Sequence, residues 1–320
     1  MPEKSANLPK RKHEKYERLI AQAKTLPAVS TAIAHPCDET SLKGAMEAAD
    51  AGLIVPALIG PTSKIKAVAD KLKLSLEGVE IIEAAHSHDA AFKAVELVRL
   101  GRAEILMKGS LHSDELLLEV TKKDTGLRTG RRISHVFIMD VPNHPETLFI
   151  TDAAVNIFPD LMAKRDIVQN AIDLFQGLGL GTPKVAILSA VETVTVSIPS
   201  TIDAAALCKM ADRGQITGGV LDGPLAFDNA ISLEAAAIKG IRSEVAGRAN
   251  ILVVPDLEAG NMLAKNLSFL SGADAAGIVV GARVPVILTS RADNVRTRLA
   301  SCAIASVYAH SLRAHAPIRS

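Results

Sequence analysis

Lys108 and Arg291 stand where cations are least expected. Each follows a short apolar run and precedes a helical pattern, and neither residue type caps a helix amino end. A cation there opposes the helix dipole by a few tenths to about 1 kcal/mol, so an anion should offset it. Backbone N–H groups at a helix start plus a guanidinium make a phosphate site, with charged hydrogen bonds of ~1.5–3 kcal/mol each. Thr289-Ser290-Arg291, with Asp293 close behind, is therefore an oxyanion candidate, and Lys108-Gly109-Ser110 is a second one. Three further strand ends are dense in polar residues: Thr151-Asp152 with Asn156, Asp222 through Asp228-Asn229, and Asp256 through Asn261. Asp, Asn, Ser and Thr at such junctions also serve as caps and turns. Asp152, Asp222, Asp228 and Asp256 thus carry a structural reading beside the functional one.

Short apolar runs alternating with helical patterns would position these residues. Strands are expected at Val29–Ala34, Leu53–Ile59, Val79–Glu83, Glu104–Met107, Ile133–Met139 and Thr147–Thr151. More follow at Lys184–Ser189, Gly219–Leu221, Asn250–Val254, Gly277–Val280 and Val286–Thr289. Pro56 demotes the second of these toward a sheet edge. Helices are expected at Lys10–Lys24, Asp38–Ala51, Ser87–Leu100 (capped by Ser87), Asp114–Val120 and Leu161–Leu178. Thr201–Asp212, Ser232–Lys239, Leu257–Leu270 and Asn294–His310 complete them. The strands are Val/Ile/Leu runs without polar alternation, as parallel sheets covered on both faces require. Ligands of such sheets gather outside the strand carboxyl ends, where the polar clusters sit. The charged stretch 122–132 (KKDTGLRTGRR) is either a crossing between domains or an exposed loop. The apolar side chains of the last helix, Leu299, Ile304, Val307 and Leu312, pack internally or across a dimer.

The chain has 320 residues, about two domains at roughly 150 each. Lys plus Arg is 36 against 35 for Asp plus Glu, a net charge of +1 without basic blocks. That balance argues against duplex nucleic acid. With aromatics at 3% and no Trp, base-stacking platforms are not expected either. Cys37, Cys208 and Cys302 are odd in number, far apart and form no CxxC, which suits a reduced interior and offers no zinc framework. No run of eighteen apolar residues and no apolar segment of a signal peptide is visible, so a cytoplasmic protein is expected.

Other signals are weak. Gly177, Gly179 and Gly181 lie after a helix and before a strand, the wrong order for pyrophosphate binding, and read as a helix stop. His86 and His88 have no third ligand nearby, so no metal site is expected. GxSxG is absent, and Cys302 reads as a small core residue.

Taken together, the strand ends resemble the phosphate acetyl/butyryl transferase family. The matching segments are ITDAAVNIFPD (150–160), KVAILS (184–189), LDGPLAFDNAIS (221–232), NILVVPDLEAGNMLAKNL (250–267) and PVILTSRAD (285–293), in the family's order. The resemblance implies an α/β fold with two α/β/α domains, mostly parallel sheets and an interdomain cleft, of the isocitrate/isopropylmalate dehydrogenase type. Residues 1–140 plus 280–320 would form the terminal domain and 141–279 the inserted one. The implied reaction is acyl-CoA plus phosphate giving acyl phosphate plus CoA. Coenzyme A is then substrate and product, no cofactor is bound, and the family implies a homodimer. The wording DGPLAFDNAIS and TSRAD resembles the butyryl branch more than the acetyl branch. Many proteins of this length and wording are nonetheless acetyltransferases, so acetyl is expected, with butyryl close behind.

Phosphate would attack the thioester and CoA thiolate would leave; in reverse, a base must help deprotonate the thiol. Arg291 would hold phosphate, Ser290 would bond phosphate or the carbonyl oxygen, and Lys108, Gly109 and Ser110 would face them. Asp152, Asn156, Asp222, Asp228 and Asp256 would line the cleft or close their own turns. The acetyl branch has a catalytic Asp seven residues after this Ser; here that position is Thr297. Asp293 is the nearest carboxylate, a base or a plain cap. Asn261 and Lys265, four apart, read as surface or interdomain bonding. Three other activities stay open. A metal- and NAD-dependent decarboxylating dehydrogenase would need clustered carboxylates and show nicotinamide turnover. An acyltransferase using acyl carrier protein would need that carrier. A non-catalytic CoA-binding protein would show no phosphate-dependent turnover.

Overall fold

The computed structural model describes residues 14–142, 144–288 and 295–315. The first half runs α1 (Glu14–Lys24), β1 (Val29–Ala34), α2 (Glu39–Asp50), β2 (Ile54–Gly60), α3 (Thr62–Leu72), β3 (Glu80–Glu83), α4 (Ser87–Arg99), β4 (Ile105–Lys108) and α5 (Ser113–Thr121). Then come β5 (Ser134–Asp140), β6 (Leu148–Thr151), α6 (Leu161–Gly177), β7 (Lys184–Leu188), α7 (Pro199–Asp212), β8 (Val220–Leu225), α8 (Phe227–Ile231) and α9 (Leu233–Ile238). The chain closes with β9 (Ile251–Val253), α10 (Leu257–Phe269), β10 (Asp274–Val280), β11 (Val286–Ile287) and α11 (Val295–His315).

Local chemistry accounts for the helix starts. Asp38, Asp160 and Asp256 each accept a backbone N–H three residues on, at 2.7, 2.8 and 2.9 Å. These contacts satisfy amide groups that a helix amino end leaves without partners. Helix α4 differs from expectation. Its cap is His86, whose Nδ1 accepts from Asp89 N at 3.2 Å, rather than Ser87. Helices α3 and α8 were not expected. Pro61 precedes α3 without any side-chain cap, and Lys73 closes it in a left-handed conformation where glycine is usual.

The eleven strands form one sheet in the order β3-β2-β1-β4-β11-β10-β5-β6-β9-β7-β8. Strands β3, β2, β1, β4 and β11 are mutually parallel. Strands β6, β9, β7 and β8 form a second parallel block. Between them β10 is antiparallel to β11 and β5, and β5 is antiparallel to β6, so the blocks run in opposite directions. Strand β2 is interior, contrary to the edge position inferred from Pro56. Strand β3 begins opposite Ala57, so Pro56 has no strand neighbour on that side and its missing N–H breaks no ladder bond.

Both faces of the sheet are covered. Leu42, Ala45 and Ile65 from α2 and α3 join α11 on one side of the first block, and Ala90, Ala94 and Leu116 from α4 and α5 cover the other. Ile304 and Val307 of α11 are buried within this chain, and Leu299 and Leu312 pack against the same core. The internal reading of that helix therefore holds. Residues 122–132 form a mostly exposed connection pinned by buried Leu127 and by a bridge from Arg128 to Ala282.

Candidate active site at the strand carboxyl ends

In the order β3-β2-β1-β4 the chain reverses its direction of winding between β1 and β4. The two helices that follow those strands, α2 and α5, leave on opposite faces, the arrangement at which open α/β sheets have their ligand crevice at the strand tips. Ala34 at the end of β1 lies level with Lys108 at the end of β4. Strand β11 continues the row, Ile287 being level with Met107. Three adjacent strands thus deliver His35, Lys108-Gly109-Ser110 and Leu288 to one rim.

Chain approach at this rim is very close. Gly109 N donates to Ala34 O at 2.8 Å, and Ser110 N donates to His35 O at 2.8 Å. A Cβ on Gly109 would lie 2.4 Å from Ala34 O and 2.5 Å from His35 O, so only glycine fits. The Ser110 hydroxyl donates to His35 O at 2.8 Å, and its oxygen lies 2.9 Å from His35 Nδ1. Half-buried Lys108 reaches Leu111 O through Nζ at 3.3 Å, across the turn into α5. Burial, and then the charge of Lys64, hold the His35 pKa below its ordinary value.

A second cluster lies at the tips of β5 and β6. Asp152 is 3% exposed, and its Oδ1 accepts from Ala154 N and Val155 N at 3.0 Å each. Its Oδ2 accepts from Asn156 N at 3.1 Å and Asn156 Nδ2 at 2.5 Å. Asn156, also buried, accepts from Arg132 Nε at 2.6 Å and donates to Ile133 O at 2.9 Å. Asp152 therefore closes the 153–156 turn, while Asn156 aims an exposed guanidinium. Beside them His135 is fully buried against Phe137 and Gly277. Burial pushes its pKa down to about 4, with the Asp152 charge opposing that shift.

The remaining expected residues do not join either cluster through a hydrogen bond. Asp222 lies inside β8 rather than after it and accepts from Gly223 N at 2.8 Å. Asp228 is exposed and accepts from Asn229 N at 2.9 Å. Asp256 caps α10. Asp256 thus serves its helix start, while Asp222 and Asp228 each accept from the amide that follows them. Asn261 reaches Ala153 O at 3.4 Å, and Lys265 is exposed. Ser290, Arg291 and Asp293 lie outside the described residues. Thr297 lies in the first turns of α11, 5% exposed, and its carbonyl accepts from Ser301 Oγ at 3.0 Å.

His35, Arg132 and His135 escaped the sequence reading. His35 could have been found, because it follows the expected strand Val29–Ala34 just as Lys108 follows Glu104–Met107. Arg132 sits in a charged stretch where nothing local distinguishes it from Arg131. Among the described residues no group of three or more His, Cys, Asp or Glu side chains could hold a metal ion. A cavity of about 620 Å³ opens elsewhere, at the amino ends of β6, β7 and β9, with Lys15, Arg18 and Lys184 on its wall. None of the strand-end residues lines it.

Comparison with known proteins gives a consistent result. Residues 83–306 match the family model described as phosphate acetyl/butaryl transferase. A phosphate acetyltransferase of Rhizobium meliloti is 71% identical over 300 residues, covering 94% of this chain and 95% of that protein. A phosphate butyryltransferase of Clostridium beijerinckii is 41% identical, covering 92% and 97%. The crystal structure of a phosphotransacetylase from Streptococcus pyogenes superposes with a TM-score of 0.81 at 25% identity, covering 92% and 98%. A 4-hydroxythreonine-4-phosphate dehydrogenase from Klebsiella pneumoniae superposes at 0.53 with 10% identity, covering 89% and 100%, a likeness of fold alone.

Proposed function

This chain belongs to the phosphate acetyl/butyryl transferase family, and from that premise we propose that it transfers an acyl group, acetyl by preference, between coenzyme A and inorganic phosphate. It is an acyltransferase. The observation that carries the acetyl assignment is the 71% identity, over nearly the whole chain, to a phosphate acetyltransferase, against 41% to a butyryltransferase. The dehydrogenase alternative is left with a shared fold and nothing more.

In this reading phosphate and acyl-CoA meet in one site and react directly. Phosphate oxygen attacks the thioester carbonyl, charge builds on the carbonyl oxygen, and CoA leaves through sulfur. Arg291 and Ser290 hold the phosphate and the developing oxyanion, with Lys108 supplying a further cation from the β4 tip. Arg132 is a candidate for a second anionic group, since CoA carries phosphates remote from its thiol. Buried Asn156 fixes its Nε and leaves the rest of the guanidinium at the surface.

Three further elements belong to the same reading. The division into a terminal domain (1–140 plus 280–320) and an inserted domain (141–279), of the isocitrate/isopropylmalate dehydrogenase kind, is supported by the two opposed parallel blocks of the sheet. A homodimer is supported by exposed Met262 and Phe269, seven residues apart on one face of α10. A cytoplasmic location fits helices among which, in the described residues, none is long and apolar enough to cross a membrane. The deciding experiment follows free thiol from acetyl-CoA or butyryl-CoA with and without phosphate. Phosphate-dependent release, faster for acetyl, supports the assignment; faster release from butyryl-CoA moves it to the other branch.

A further inference from the structure

The transfer needs a group that takes the CoA thiol proton, and Thr297 cannot do so. We propose that His35 is that base: its Nε2 accepts the thiol proton when CoA attacks acyl phosphate and returns it when thiolate leaves, while Ser110 fixes the ring. The inference rests on the acyl-transfer reading above.

In this proposal the ring proton of neutral His35 sits on Nδ1, beside Ser110. The Ser110 hydroxyl oxygen lies 2.8 Å from the His35 carbonyl oxygen, which also accepts from Cys37 N at 2.9 Å and Ser110 N at 2.8 Å. The Ser110 oxygen also lies 2.9 Å from His35 Nδ1, and a proton on that nitrogen would be donated to it. A neutral imidazole protonated on Nδ1 carries its lone pair on Nε2, the form a base requires. His35 also has a φ of +55°, a left-handed conformation that is uncommon outside glycine and in which Asn, Asp and His are the enriched side chains. That conformation places it at the turn leaving β1, next to the winding reversal where ligands of such sheets bind.

Charged groups near His35 come from several elements, and Lys108 stands level with Ala34 at the tip of the neighbouring strand β4. Asp38 follows it in the chain, Lys64 comes from α3, His86 from the start of α4 and Glu115 from α5. Burial and Lys64 outweigh the two carboxylates and keep the ring below its usual pKa, which favours the neutral form.

The step balances. In the CoA-consuming direction the S–H bond breaks and its proton moves to Nε2 while sulfur bonds the carbonyl carbon. The bond from that carbon to the phosphate oxygen then breaks. Phosphate leaves with the electron pair and takes the proton from Nε2. The opposite direction moves the same proton from hydrogen phosphate to sulfur.

The test is the pH dependence of kcat with CoA and acetyl phosphate for wild type, His35→Asn, Ser110→Ala and Asp293→Asn. Asparagine tolerates positive φ, so His35→Asn is the variant least disturbing to the turn. Wild type should lose rate as pH falls through a value below 6.5. His35→Asn should lower kcat by about 10²–10⁴-fold with KM for CoA within a few-fold, abolish that acid limb and recover partly with added imidazole. Ser110→Ala should lower kcat less and shift the limb, while Asp293→Asn should keep it. A wild-type profile without an acid limb overturns the proposal, and this result needs no variant to fold. So does an intact limb in His35→Asn, or its loss in Asp293→Asn. Wild type that transfers nothing in either direction overturns the acyl-transfer reading itself.

Discussion

A single methyl group is too much for the tip of the β1/β4 crevice. Gly109→Ala would place carbon 2.4 Å from a carbonyl oxygen, so the strands must part. We expect a loss of about 1–3 kcal/mol of stability by urea unfolding, together with a fall in kcat, because the same shift separates Ser110 from His35. Thiol chemistry gives a second expectation. Burial raises Cys37 to about 11, and Cys208 and Cys302 each to about 12. All three stay protonated at pH 8, where thiolate is the nucleophile that matters. Native protein should react slowly with a disulfide reagent, and Cys37→Ser should keep its turnover, as direct transfer without a thioester on the enzyme requires. A third expectation concerns His135. Its pKa is depressed to about 4 in the folded chain and is near 6.5 when unfolded. Between those values the unfolded chain binds the extra proton. Stability is thus insensitive to this group above pH 6.5 and falls as pH drops toward 4, by up to about 1.4 kcal/mol per pH unit. His35 and His144, also depressed, act in the same direction. Chemical denaturation from pH 7.5 to 4.5 should show a shallower slope in His135→Gln than in wild type.

Helix α1 shows how one element is fastened far from its own sequence. Tyr16 is fully buried, its hydroxyl donating to Ile138 O of β5 and accepting from Ala276 N of β10 at 2.5 Å. Lys15 adds a buried pair with Asp140 at 3.1 Å. Tyr16→Phe should leave a buried N–H and carbonyl without that partner, cost about 1–3 kcal/mol and raise amide exchange along α1. Unchanged exchange there would show that apolar contacts alone hold the helix. The existence of α1 was legible in its amphipathic spacing, but its docking to β5 and β10 was not. The same division runs through other elements. Val29–Ala34 was readable to the residue because β-branched side chains and the flanking Pro27 and Pro36 bound it. Helix α3 was not, since Pro61 caps without a side-chain bond and Lys73 stands at the usual glycine position. Asp38, Asp160 and Asp256 could be read as caps, whereas His86 could not, because its ring accepts the amide only in one orientation.

For the whole molecule, alternation of strands and helices was enough to establish an α/β architecture. Strand order was not, because it depends on pairings between distant segments. Strand β11, from near the carboxyl end, lies between β4 and β10. That insertion brings residue 288 to the rim that holds Lys108 and Ser110. The candidate site was legible where a strand end carried an unexpected cation, as at Lys108. It was not legible at His35, whose ring partner is a serine 75 residues away. Asp152 and Asp256, singled out by their position at strand ends, close a local turn and cap a helix, and capping and ligand binding draw on the same residue types. The central claim is phosphate-dependent acyl transfer, and one measurement tests it most directly. Purified protein is mixed with acetyl-CoA, and free thiol is followed with and without inorganic phosphate, beside Arg291→Ala. Thiol release that requires phosphate and collapses in the variant is the expected result. Release at the same rate without phosphate would mean thioester hydrolysis, and no release from acetyl-CoA or butyryl-CoA would contradict short-chain acyl transfer altogether.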